Sequence, residues 1–167
     1  MGCDIHGYIE FKHPKNDRWE PFGKRLRLDR TYLLFGLLAN VRCDGALIEP
    51  RGMPSDIGYD VRDDYLLRVT DKFPEGDGSV GSEKAARWVA DGSSAWWGDD
   101  YITGPDWHTP SWLSTSEYYA VVRAYNDAVC EEGRPHGIGV EYPAALGAMV
   151  AAEEVGHKAR FVFFFDN

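Results

Sequence analysis

The sequence predicts an α+β fold: a small, mainly antiparallel sheet made of an N-terminal hairpin and a C-terminal strand, packed with four to five helices and long structured loops. Three observations carry this expectation. Residues 3–12 alternate in polarity, which is the period of a strand. The run Phe161-Val162-Phe163-Phe164-Phe165 is apolar on both faces, as a doubly covered central strand requires. Between these ends lie stretches with helix start and stop signals.

The elements follow in order. Cys3, Ile5, Gly7, Ile9 and Phe11 point one way and Asp4, His6, Tyr8 and Glu10 the other, so the first strand is expected to bury one face. Pro14-Lys15-Asn16-Asp17 is turn chemistry, and Arg18 to Phe22 reads as the return strand. Asp29 is placed to cap a buried helix from Arg30 to about Asn40. Residues 42–58 form a structured loop, and a short helix is expected around Val61–Val69. A Gly-rich loop over 71–81 leads to a helix capped by Ser82 that runs through Ala90 and is stopped by Gly92. Residues 93–113 read as irregular and aromatic. Ser114 and Glu117 form a capping box for a helix to about Glu132, ended by Gly133, with Tyr118, Val121, Val122, Tyr125 and Val129 inward. Pro143 suits the first turn of a helix reaching Val155, and the last strand is expected beside the first.

Composition bounds the function. A chain of 167 residues, 44% hydrophobic and 27% charged, fits one globular domain over 1–167. A net charge of -9 argues against general nucleic-acid binding. The charge is uneven: residues 1–53 carry 9 basic and 7 acidic groups, a sum of +2, and residues 54–167 carry 9 and 20, a sum of -11. Lys24, Arg25, Arg27 and Arg30 cluster, either as a grip for a compact anion or as a solvated helix entry. No signal peptide or membrane-spanning run is read, and His6 stands where a myristoylation motif needs Ser or Thr. The 3 cysteines, widely spaced and odd in number, fit reduced thiols in a cytoplasm.

Four places hold candidate chemistry. Asp4 and His6 share a strand face, where carboxylate and imidazole can grip one divalent ion (zinc, manganese or iron), or simply bond each other. Cys3 falls on the opposite face from His6, so those two are not expected to pair. His108 lies in Gly104-Pro105-Asp106-Trp107-His108-Thr109-Pro110, read as a rigid loop before a helix, and is a candidate third ligand or general acid–base group. Arg51 is a candidate anion fork and Asp56 a candidate ligand or base, with mutual pairing as the structural alternative. Asp166 is a further acid at the same sheet edge. Trp107 and Trp112, in the aromatic stretch from Trp96, are candidate stacking surfaces for a base. Gly76-Asp77-Gly78-Ser79-Val80-Gly81 fits a dinucleotide fingerprint by letter but has no apolar strand before it.

The opening Met1-Gly2-Cys3-Asp4-Ile5-His6 resembles that of a group of small bacteriophage and prophage proteins. The resemblance continues at Tyr32, Phe35, Val41-Arg42, Arg51-Gly52-Met53-Pro54-Ser55-Asp56 and His108 with Ser111-Trp112-Leu113. It implies a phage or prophage setting and carries no activity with it. The group's Asp-Gly-His-Ser run is altered here to Asp106-Trp107-His108-Thr109.

The residues therefore lead first to a metal-dependent hydrolase of a phosphoester or nucleotide. Asp4, His6 and His108 would hold the ion, Asp56 or Asp166 would add a ligand or base, and Arg51 would neutralise substrate charge. The alternatives are a non-catalytic phage protein that sequesters a nucleotide or blocks a host defence protein, and a virion-associated or nucleic-acid-mimic protein.

Overall fold

The computed structural model describes residues 2–72, 78–131 and 138–166. In chain order the elements are β1 (Asp4–Lys12), β2 (Trp19–Pro21), α1 (Tyr32–Ala39), α2 (Tyr59–Tyr65), β3 (Leu66–Val69), β4 (Ser79–Val80), α3 (Ser82–Ala90), β5 (Trp96–Trp97), β6 (Tyr101–Thr103), β7 (His108–Ser114), α4 (Thr115–Glu131), α5 (Glu141–Glu154) and β8 (Lys158–Asp166).

The fold is α+β, with two four-stranded sheets. The main sheet has the order β2-β1-β8-β7 and is antiparallel throughout. β8 lies in its interior, paired along its whole length with β1 from Asp4↔Asp166 to Lys12↔Lys158. Its period-two pattern divides two clusters: Phe161, Phe163 and Phe165 enter one, Val162 and Phe164 the other. The larger cluster receives α1, α4 and α5, including the predicted inner face Tyr118, Val121, Val122, Tyr125 and Val129. The smaller cluster adds Tyr8, Val61, Tyr65 and Leu66. The first strand thus buries both faces rather than one, because α2 and the aromatic stretch cover the side that polarity alone assigned to solvent.

The second sheet, β4-β3-β6-β5, was not expected. Its strands are two to four residues long, too short to show a period. The helix expected over 61–69 spans Tyr59–Tyr65, after which the chain turns extended as β3. The stretch 93–113, read as irregular, contains β5, β6 and the start of β7. The capping box at α4 is formed: the Ser114 N–H donates to Glu117 Oε2 at 2.9 Å, and the Glu117 N–H meets Ser114 Oγ at 3.4 Å. α1 begins later than expected, after Thr31, with no side-chain cap, and its C-cap is Asn40 in the left-handed region. The fingerprint-like segment at 76–81 and the helix stop at Gly133 lie partly or wholly outside the described residues. Among the described residues, no helix is long and apolar enough to cross a membrane.

Candidate functional site

One end of the main sheet gathers ionisable groups from four parts of the chain. β1 presents His6 and Tyr8 on the face covered by α2. From α2, Asp64 approaches so that its Oδ2 lies 2.8 Å from His6 Nδ1, and the Tyr8 hydroxyl donates to the same oxygen. From the end of β8, Asp166 Oδ2 lies 3.2 Å from His6 Nε2, while its Oδ1 accepts the Asp4 N–H at 3.0 Å. The segment after β2 folds back over the strand, the Leu26 N–H donating to the Gly7 carbonyl at 2.9 Å. It carries Arg25, whose Nη1 lies 2.9 Å from Nδ1 and 3.3 Å from Nε2 of His6. A Cβ at position 7 would stand 2.5 Å from Leu28 Cδ1 and 2.9 Å from the Phe161 ring, so glycine is what admits this segment.

His6 itself is only 5% exposed. Its ring stacks on Phe164, centroids 4.7 Å apart, and tilts against Trp107 at 4.8 Å. Trp107 in turn fits against Gly104, where any side chain would collide with the indole nitrogen. A cleft of about 330 Å³ opens over this centre, lined by Asp4, His6, Arg25, Arg27 and Asp166 among others. A second cleft of about 370 Å³ lies beside it, with Tyr8, Lys24, Arg25 and Asp64 in its wall. Lys24, Arg25 and Arg27, all exposed, edge the two clefts, and Arg30, also exposed, clamps the Asp4 carboxylate with two nitrogens.

The electrostatics follow from these contacts. Burial pushes the Asp64 carboxyl up, but the hydrogen bonds from His6 and Tyr8 outweigh it and hold the group below the ordinary carboxylate range. Burial and then Asp64 push the Tyr8 hydroxyl up, so it stays a donor. Arg30 holds Asp4 down. A carboxylate only accepts and a guanidinium only donates. Each His6 nitrogen faces one of each, so it can satisfy only one neighbour at a time.

The predicted residues are not brought together. Asp4 and His6 flank one cleft, but His108 is on the other face of the sheet. It is the first residue of β7, not part of a loop at a helix entry, and pairs with Phe165 in the register. Its ring stacks on Phe165, and its Nε2 faces Cys3 Sγ at 3.9 Å. The expectation that Cys3 and His6 occupy opposite faces agrees with this placement. Burial raises the Cys3 thiol above its ordinary value despite Arg42. The Asp4–His6–His108 ligand set is therefore not assembled, because His6 pairs with Phe164 and His108 with Phe165, which face opposite sides of the sheet. Among the described residues no group of three His, Cys, Asp or Glu side chains is arranged to hold a metal ion.

Arg51 and Asp56 neither pair with each other nor reach this cleft. Arg51 grips Glu117 with both terminal nitrogens and lies over the Trp112 ring at 4.6 Å. Asp56 accepts from Arg160 Nη1 at 2.8 Å and from the Trp19 indole at 2.9 Å. Trp107 and Trp112 pack against the smaller cluster. The participants that sequence reading missed are Asp64 and Tyr8. Val61 and Tyr65 point inward from α2, and Asp64 lies on the same helical face, which is a readable signal once the helix is placed.

The chain matches no family of known proteins, no curated protein and no solved structure.

Proposed function

We propose that the chain hydrolyses a small phosphoester or nucleotide in the His6 cleft, with His6 and Asp166 handling the proton. One observation carries the reading: a buried imidazole set between two carboxylates at the floor of a cleft edged by two arginines. Arg25 and Arg27 would take the phosphoryl oxygens. Drawing Arg25 off the ring would let His6, on taking a proton from solvent, donate from one nitrogen to Asp64 and from the other to Asp166. Asp166 would then accept the proton of the attacking water as the bond from water oxygen to phosphorus forms, and the leaving oxygen would take a proton from His6 as its bond to phosphorus breaks. The arginines would stabilise the charge that develops. A zinc, manganese or iron ion would have to displace Arg30 from Asp4 and His6 from Asp166, so the proposal assigns the proton work to this chain's own residues.

A second reading is capture without turnover. It is favoured by the saturation of the site, since both His6 nitrogens and both Asp166 oxygens already have partners. The two are separated by incubating the protein with nucleoside mono-, di- and triphosphates and simple phosphodiesters, with and without divalent ions, and following phosphorus NMR. Hydrolysis predicts new phosphate signals that fall at least about 100-fold in rate for His6→Gln and Asp166→Asn, since general acid–base catalysis contributes about 10²–10⁴-fold. A bound ligand recovered unchanged from stoichiometric protein would overturn the hydrolase reading in favour of capture.

A further inference from the structure

A cleft of about 690 Å³ lies elsewhere: between β2 and the start of α2, at the opposite end of β1 from His6. Its volume lies in the range of small-molecule sites. Beneath it runs a buried ion network. Glu10, fully buried, accepts from Arg160 Nε at 2.7 Å and from the Gly58 N–H at 2.5 Å. Arg160, 4% exposed, also donates to the Asp56 carboxylate and to the Asp56 carbonyl. Its guanidinium lies 4.0 Å from the centre of the Trp19 ring, and Asp56 holds the indole N–H. A side chain at position 58 would strike Glu10 Oε1 at 2.8 Å and the Trp19 carbonyl at 3.1 Å.

A buried ion pair is weak support for stability, and replacement by apolar groups is often neutral or better. What this one does is fix an indole in the wall of a cleft, by Arg160 on its ring and Asp56 at its edge, with Lys12 Nζ further off at 6.0 Å from the ring centre. Of the acidic groups of that wall, Asp56 is held by Arg160, the exposed Asp17 lies 3.5 Å from Lys12, and Glu20 accepts from the Asn16 amide at 3.0 Å. The wall also holds Arg18, the Tyr59 ring, 58% exposed, and the exposed Arg62, whose Nε and Nη2 lie 3.3 Å from Asp63 Oδ1, a surface pair that an anion can displace. An immobilised aromatic surface beside cations suits a ligand that is planar and aromatic at one end and anionic at the other.

We propose that this cleft binds a mononucleotide-type ligand, its base stacked on Trp19 and its phosphate held by Arg18 and Arg62. The proposal is independent of any chemistry at His6. The probes are AMP, adenosine and ribose 5-phosphate, titrated against the full chain while amide shifts of residues 17–21 and 56–62 are followed by NMR. AMP is expected to shift those amides at submillimolar concentration and to bind more tightly than either fragment. Loss of base stacking in Trp19→Leu is expected to weaken AMP about five- to 100-fold. Because Trp19→Leu also uncovers Arg160 and can disturb the fold, the exposed pair Arg18→Gln and Arg62→Gln is the second variant. It is expected to lower AMP affinity at least about tenfold while leaving adenosine binding unchanged. No shift of these amides at millimolar AMP would overturn the proposal. So would ribose 5-phosphate binding as tightly as AMP, or unaltered AMP affinity in the double arginine variant.

Discussion

Glu10 and His6 stand on the same face of one strand and meet different fates. Glu10 is pushed up by burial, against the pull of Arg160 and the Gly58 N–H, in a pair with no outlet to solvent. Removing its charge alone strands a buried guanidinium. Glu10→Leu is therefore expected to cost about 3–5 kcal/mol in urea unfolding, and Glu10→Leu with Arg160→Met markedly less than the sum. Asp64 behaves in the reverse sense. Its folded value is held below the unfolded one, so the stability it contributes is present above about pH 3.9 and is lost as pH falls through the folded value. Urea unfolding at stepped acid pH is expected to show a loss below about pH 4 that is smaller in Asp64→Asn. At this scale the sequence was legible where geometry is local. Asp4 and His6 two apart on a strand, and Cys3 behind them, are readable from period two alone. The partner of Asp56 was not, because Arg160 is 104 positions away and only the β1–β8 pairing brings it close.

Elements with chemical punctuation were readable; short ones were not. The Ser-x-x-Glu box at 114–117 and the apolar run at 161–165 each name their element, and both occur as expected. Ser114→Ala is expected to cost about 1 kcal/mol, seen as a lower unfolding midpoint at unchanged slope. The strands of the second sheet have too few residues to alternate visibly, and β3 follows α2 without a break residue, so the sequence reads as one helix through both. His108 reads as a loop residue for a related reason. Flanking prolines suggested a loop, yet Pro110 sits at the register irregularity between His108 and Ser111, where an edge strand tolerates it. The segment that carries Arg25 and Arg27 depends on Gly7. Gly7→Ala is expected to destabilise by about 1–3 kcal/mol, from overpacking against Leu28 and Phe161, and to shift the amides of residues 25–28.

Across the whole molecule, the main sheet separates a helix-backed core from a smaller cluster that borders the candidate cleft. Trp97, Trp107 and Trp112 pack on the smaller side, while α1, α4 and α5 pack on the larger. Tryptophan fluorescence is thus weighted to the smaller side of the sheet and helical circular dichroism, through α1, α4 and α5, to the larger. If 1–167 is one domain, their urea transitions should coincide; two separated midpoints would mean two cooperative units. The central claim, that the His6 cleft turns over a phosphoryl compound, is tested most directly by the rate of phosphate release from one substrate by wild type and His6→Gln, both verified as folded. The account predicts release by wild type and a rate at least about 100-fold lower in the variant. Equal rates, or no release by either protein while the ligand is bound, would contradict it.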